Sequence, residues 1–449
     1  MTASAGSRWS GAAGTRVLGE GYYQLTLVAA VLQACSELHV RVLPGLPSVS
    51  VLEVVVVPAF LCLVAEMLHR PPLWVQTQAL MRRNRLVVCY GAYALLASFV
   101  GLPHSPDTLR AFHDLFVALA LYTLVGLTID DAVRRRGLLA AVLLGAVGNA
   151  SLALCQVVAG GPYVIKLSEN ITGKLDLNGD FMAVPATGLF NHPNGLAVYL
   201  LPIVAFLVVM AWNGLGETPR RRPWLALVLA PMVVALALTY AKGVYAWLLA
   251  GLCVVVVQRW CGRFRVALAV TVVVGGIAAL TWFSLAAFLD GDMVFSTIVG
   301  RIELWMAAIR ILGADDFVAV FGGGGAQLFG QTFTFEYTNA HNAWLDQALT
   351  YGIPALALYL GAYVTAFIGL ARRIRYEPHP TRSLALAAFG ALVAILGESF
   401  FEPTNHSVGL QAELFLLLAI AASLPETSAT ERRAARDRSP RASGSASAG

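Results

Sequence analysis

Apolar stretches about as long as a bilayer is thick recur along the chain, separated by short polar or arginine-rich segments. A hydrocarbon layer about 30 Å thick needs roughly 20 residues of helix at 1.5 Å each. Stretches of that kind predict twelve transmembrane helices, at about 22–38, 48–68, 86–102, 111–129, 137–159, 193–211, 224–240, 243–258, 266–288, 344–370, 383–400 and 408–424. The pattern breaks once, over 290–343, which predicts one large loop between the ninth and tenth helices. Within that loop Ile302, Trp305, Met306, Ile309 and Leu312 recur at helical spacing, which predicts an amphipathic helix lying in the membrane interface. The division that follows is an N-terminal tail to residue 21, helices one to nine over 22–289, the loop over 290–343, helices ten to twelve over 344–424, and a Ser, Ala and Arg-rich tail from 425 expected to be disordered. Arg8, Arg16 and Glu20 precede the first helix with no clear small-residue cleavage site after it, so no cleavable signal peptide is expected.

Composition supports an all-α polytopic membrane protein. Hydrophobic residues make up 58% and charged residues 13%, with a mean hydropathy of +0.70. Soluble domains carry about a quarter of their residues as charges. A chain of 449 residues with about half that share cannot cover a soluble surface. The net charge of +5 is small and gives no argument for nucleic acid.

Placement of charge says more than its sum. Of 31 Lys and Arg, only Arg41, Arg110, Lys166, Lys174, Lys242, Arg301 and Arg310 fall on one side of the predicted helices. The remaining 24 fall on the other, in clusters such as Arg82–Arg83–Arg85, Arg134–Arg135–Arg136 and Arg220–Arg221–Arg222. Positive residues collect on the cytoplasmic side. Both termini are therefore expected in the cytoplasm and the large loop outside it. The cytoplasmic arginines need no reason beyond topology, whereas each outer cation does.

Six cysteines (Cys35, Cys62, Cys89, Cys155, Cys253 and Cys261) lie in predicted helices or at a cytoplasmic edge without any CxxC. Neither a disulfide framework nor a zinc site is indicated, and buried packing is the expected role of nearly all. No outer cluster has metal-ligand spacing, so no metal and no cofactor are expected.

Four outer segments carry candidate chemistry. Asn191-His192-Pro193-Asn194 opens the sixth helix, with Pro193 suited to a first turn and its neighbours at the positive end of a helix dipole. It reads either as an anion-facing end or as a plain cap. Lys242, in the tight turn Thr239-Tyr240-Ala241-Lys242-Gly243, either snorkels to water or offers an isolated cation to a phosphate. The loop holds Arg301 and Arg310 on its amphipathic segment, then Phe321 followed by four glycines, which lack the Lys-Ser/Thr of a nucleotide-binding loop. Asn339-Ala340-His341-Asn342 closes the loop, and a histidine there can accept a proton near neutral pH. Glu398 and Glu402 end the eleventh helix on the same side, placed either to orient His341 or to bind a ligand hydroxyl, or as a solvated helix end. Glu37, Glu53 and Asp114 also stand at boundaries and read as helix ends or interhelical contacts.

Taken in order, the Asn-His-Pro-Asn opening, the Lys-Gly turn, the Arg–Trp–Ala segment, the Gly-rich stretch, the His-Asn motif and the following Tyr351-Gly352-Ile353-Pro354 resemble the O-antigen ligase and polymerase superfamily. The resemblance spans roughly 185–405 and rests on order, spacing and common sidedness rather than on any one motif. It implies a C-type glycosyltransferase fold in a bacterial inner membrane, using an undecaprenyl-diphosphate-linked glycan as donor and a glycolipid or glycan hydroxyl as acceptor on the periplasmic side. Arg301 matches the family's loop arginine and His341 its histidine, which implies catalytic roles for both. Lys242, Asn194, His192, Asn342, Glu402 and Arg310 are then the expected substrate-binding residues. Lys242 stands where the family commonly has Arg, a departure that keeps the charge and loses the planar fork. Secondary transport and a non-catalytic envelope-assembly scaffold are the competing readings. Transporters place broken helices and ionisable residues near the midplane, whereas here the candidates gather at one face.

Overall fold

The computed structural model describes residues 20–36, 38–40, 49–101, 107–129, 131–159, 174–175, 181–183, 186–190, 192–212, 222–260, 296–323, 339–402 and 408–424. The predicted ninth helix (266–288), both tails and much of the large loop lie outside these residues.

Fifteen α-helices are formed among the described residues: α1 Glu20–Leu32, α2 Val51–His69, α3 Pro71–Arg83, α4 Arg85–Gly101, α5 Asp107–Thr128, α6 Ala132–Val158, α7 Pro193–Trp212, α8 Arg222–Leu238, α9 Lys242–Trp260, α10 Ser296–Ala314, α11 Asp316–Phe321, α12 Ala343–Tyr351, α13 Ile353–Tyr376, α14 Thr381–Glu398 and α15 Val408–Ser423. Two short antiparallel pairs, His39–Val40 with Val49–Ser50 and Lys174–Leu175 with Phe181–Ala183, are the strands present among them. Six helices (α2, the 111–128 part of α5, α6, α7, α13 and α14) are long and apolar enough to span a membrane. A seventh span is made if the bent pair α3 and α4 is taken as one, and shorter apolar helices lie within α8, α9 and α15. The molecule is thus an all-α multi-pass membrane protein. Its lipid-facing surface shows in the exposed Leu61, Leu68, Phe99, Leu144, Leu249 and Val364, which a watery surface would not carry in such number.

The core is built around α7 and α14, which pack against each other, with α9 on α14 and α15 on α5. Nearly every side chain of α7 from Leu196 to Leu207 is buried. Small residues on α14 permit this closeness: a Cβ on Gly390 would meet Val255 at 2.8 Å, and one on Gly397 would fall inside the Trp247 ring.

Three predicted features take a different form. The segment between the second and third predicted helices is itself a helix, α3, set at 93° to α4. Pro71 and Pro72 start it, and the non-helical backbone of Asn84 ends it. The predicted helix 344–370 is two helices, because Gly352 takes φ +92° and breaks it. A Cβ on Gly352 would stand 1.8 Å from the Val320 carbonyl oxygen, and one on Gly322 (φ +73°) 2.2 Å from that of Thr350. The two glycines therefore let the end of α11 cross the end of α12 backbone to backbone, sealed by the Gly323 amide donating to the Leu349 carbonyl at 2.9 Å. The described start of the Gly-rich stretch serves this crossing rather than a ligand. Thirdly, Cys62, Cys89 and Cys155 are exposed on the bundle surface, not buried, with Cys35 and Cys253 partly covered. A thiol is a small apolar group, so a lipid-facing position suits it as well as a packed one.

The arginines assigned to topology alone also hold structure. Arg83 and Arg135 donate to the Ala422 and Ser423 carbonyls at the C-terminal end of α15, at 3.3 and 3.0 Å. Arg134 is buried, donates to the Thr128 carbonyl and pairs with Glu20. Helix C-termini present unpaired carbonyls and a negative dipole end, which guanidinium satisfies twice over.

Candidate functional site

The site is assembled by four segments that arrive at one end of the bundle. The first is the turn into α7. Gln156 of α6 accepts from the Gly188 amide at 2.8 Å and donates to the Gly188 carbonyl, while Asn149 accepts from Leu189. Gly188 has φ +57°, and a Cβ there would collide with Asn149, so glycine is required. This grip fixes where α7 starts. Pro193 takes its first position, as expected from its missing N–H, and Asn194 follows directly.

The second segment is α10. Leu304, Ala307 and Ala308 face inward with Leu349 of α12, while Met306 and Ile309 are exposed. The predicted amphipathic helix exists, but its buried stripe runs along Leu304 and Ala308 rather than Met306 and Ile309. Trp305 anchors it, packing edge-on against Phe400 (4.9 Å between centroids) and against Phe401. Arg301, one turn earlier, is thereby carried to the end of α14.

The third is the segment before α12. Asn339 accepts from the His341 amide at 2.9 Å and buried Asp346 accepts from the Ala340 amide at 2.8 Å. These bonds hold His341 in the left-handed region, at φ +48°, an unusual conformation for a side-chain-bearing residue. The Ala343 amide donates to the Ser399 carbonyl at 2.8 Å and Trp344 packs on Phe400, which ties the segment to the fourth, the turn after α14.

That turn presents Glu402, where the four segments meet. Its Oε1 accepts from Arg301 Nη2 at 2.5 Å and from Asn194 Nδ2 at 2.8 Å. Its Oε2 stands 3.9 Å from His341 Nδ1. Glu402 is 8% exposed, so the pairing occurs away from bulk water. Burial pushes its carboxyl up, but His341 and Arg301 outweigh that, and the net direction is below the usual carboxylate value. The group is an anion at neutral pH. Glu398, one turn back, is buried too, and its Oε2 would lie 3.0 Å from a Cβ on Gly243. The backbone at the start of α9 thus abuts Glu398.

Of the eight residues picked out from the sequence, Arg301, His341, Asn194 and Glu402 are brought together. Lys242 is the first residue of α9, one position from Gly243, and its side chain lies outside the described residues. His192 is exposed and its Nδ1 accepts from the Asn194 amide at 3.1 Å, a local turn contact. Asn342 is not placed to bind a substrate through its carbonyl: it is 2% exposed and caps α12, accepting from the Trp344 and Leu345 amides at 3.0 Å. Arg310 is exposed, nine residues and about 13 Å further along α10 than Arg301, and stands apart from the cluster. Asn149, Gln156 and Asp346 escaped the sequence reading as positioning residues. Polar residues inside an apolar run were the available signal for the first two.

Residues 225–360 match the family model described as O-Antigen ligase. The matched stretch holds Lys242, Arg301 and His341, and Asn194, Glu398 and Glu402 lie on either side of it. No curated protein matches the chain. Over residues 225–360, this multi-pass membrane protein is thus similar to the O-antigen ligase family.

Proposed function

We propose that the protein is an inverting membrane glycosyltransferase, which moves a glycan from an undecaprenyl-diphosphate carrier to a sugar hydroxyl at the periplasmic face of a bacterial inner membrane. In this reading the chain crosses the membrane twelve times with both termini in the cytoplasm. The observation that carries it is Glu402, whose one carboxylate engages a cation suited to phosphate and faces a histidine suited to proton transfer.

The acceptor oxygen attacks the anomeric carbon from the face opposite the diphosphate, and the bond from that carbon to the phosphate oxygen breaks. Charge grows on the departing oxygen, and the Arg301 guanidinium, with two parallel N–H groups to offer, stabilises it. Lys242 supplies a second, unforked positive charge. His341 turns Nδ1 toward Glu402, and Nε2 is the nitrogen assigned to the acceptor hydroxyl in this reading. Glu402 then stabilises the imidazolium formed when that proton arrives, as a carboxylate behind a catalytic histidine does. Asn194 holds the other lone pairs of the carboxylate and keeps it from rotating away. The lipid diphosphate already activates the sugar, so no nucleotide takes part.

The test is reconstitution of purified protein with an undecaprenyl-diphosphate glycan and candidate acceptors, comparing wild type with His341→Ala. Histidine-dependent transfer is expected, and product length separates a single ligation from chain growth. A folded protein that transfers nothing to either acceptor class overturns the reading. Solute flux into vesicles without donor then favours a transporter.

A further inference from the structure

Outside this site, the starts of α2 and α5 bring together three groups far apart in sequence. Glu53 lies in the first turn of α2, and His113 and Asp114 in the second turn of α5. One ligand-capable atom from each falls within 4.8 Å of the others. His113 Nδ1 is 3.3 Å from Asp114 Oδ1, and its Nε2 is 3.9 Å from Glu53 Oε2. Glu53 is buried, and its Oε2 accepts from the Ser50 amide at 3.1 Å in a capping box that fixes the direction of the carboxylate. The His113 side chain is half-exposed, so the cluster is walled on the glutamate side and open to water on the other.

We propose that Glu53, His113 and Asp114 bind one divalent cation of the zinc class. Two carboxylate oxygens and one imidazole nitrogen suit zinc or cobalt, whereas magnesium and calcium prefer oxygen alone. Solvent completes the coordination on the open side. Sequence spacing hid the site because Glu53 and His113 lie 60 residues apart on different helices. The cation would join α2 to α5.

The experiment uses the full chain in detergent, with any affinity tag removed, stripped of metal and titrated with cobalt(II) while its visible absorption is followed. Total metal is counted in parallel after zinc loading. One saturable equivalent is expected in wild type, with affinity at least about tenfold weaker in His113→Ala and in Asp114→Asn. His341→Ala keeps the wild-type affinity. If His113→Ala does not purify as a folded protein, Asp114→Asn decides alone. Wild type taking up no stoichiometric cobalt, or uptake unchanged by Asp114→Asn, overturns the proposal and leaves the cluster as a histidine–carboxylate ion pair.

Discussion

Arg301 and Glu402 are separated by 101 positions in sequence, yet guanidinium and carboxylate are in direct contact, one carried by α10 and the other by the turn after α14. Neither helix holds the pair alone. Trp305, Phe400 and Phe401 set α10 against the end of α14, and the ion pair forms where that packing leaves room. Removing one partner strands the other, partly buried and uncompensated.

Glu402→Gln is accordingly expected to cut glycan transfer at least about tenfold while leaving membrane insertion intact. The amide keeps the Asn194 contact and loses the charge that serves Arg301 and His341. Initial rates on reconstituted protein, normalised to folded protein, check this. A rate equal to wild type would remove Glu402 from the chemistry.

Arg301→Ala and His341→Ala are each expected to abolish transfer at normal protein level. Arg301→Lys should recover only part of the rate, because an ammonium gives charge without the planar fork. Lys242→Arg should stay active if charge is what that position supplies. Its complete loss would point to a contact shaped for lysine.

The pH dependence of stability has a definite sign. The folded Glu402 carboxyl lies below its unfolded value, so its contribution is complete above the unfolded carboxylate range and is lost as pH falls through the lowered folded value. Melting curves of wild type and Glu402→Gln, recorded from neutral pH downward, should therefore converge only on acidification below the ordinary carboxylate range. Convergence on raising the pH would contradict the assignment.

Gly352→Ala is expected to destabilise by more than about 1 kcal/mol, since the new Cβ meets a backbone carbonyl at a positive φ. Gly322→Ala should do the same from the opposite strand of the crossing. Their combined cost should fall short of the sum, because both break one contact. Thermal unfolding of the two single variants and the double variant measures it.

Arg135→Ala should cost about 1–3 kcal/mol by uncapping the end of α15, without changing turnover per folded molecule. Arg134→Ala should likewise change level or topology rather than rate. Detergent-extracted yield and specific activity, measured separately, distinguish the two effects.

The six or seven candidate spans among the described residues were legible because lipid imposes one length and one polarity on every crossing, and Pro193 and Pro354 punctuate them. The break at Gly352 was not, since nothing in an apolar run shows that another backbone will lie across it. Arg301 stood out as a rare cation on one side, whereas Asn194, His341 and Glu402 were polar residues at the ends of outer segments whose roles came from the resemblance to the O-antigen ligase and polymerase superfamily. What counting misses is competition for the same atoms. Asn342 looked like a ligand and is consumed by capping, whereas Glu53, read as a helix end or an interhelical contact, is both. A polar residue has only so many lone pairs, and which neighbour takes them is settled by packing between distant helices.

Glu402 also makes the resting site its own gatekeeper. Any anion that seeks Arg301 must first outcompete a carboxylate already in place and further anchored by Asn194. A phosphodiester headgroup from the surrounding bilayer, with a single spread charge, is a poor challenger. A diphosphate brings more charge and more oxygens to the exchange. If Arg301 receives the donor diphosphate as proposed, the internal anion sets a threshold that a diphosphate is better equipped to pass than the single phosphodiester of a bilayer lipid.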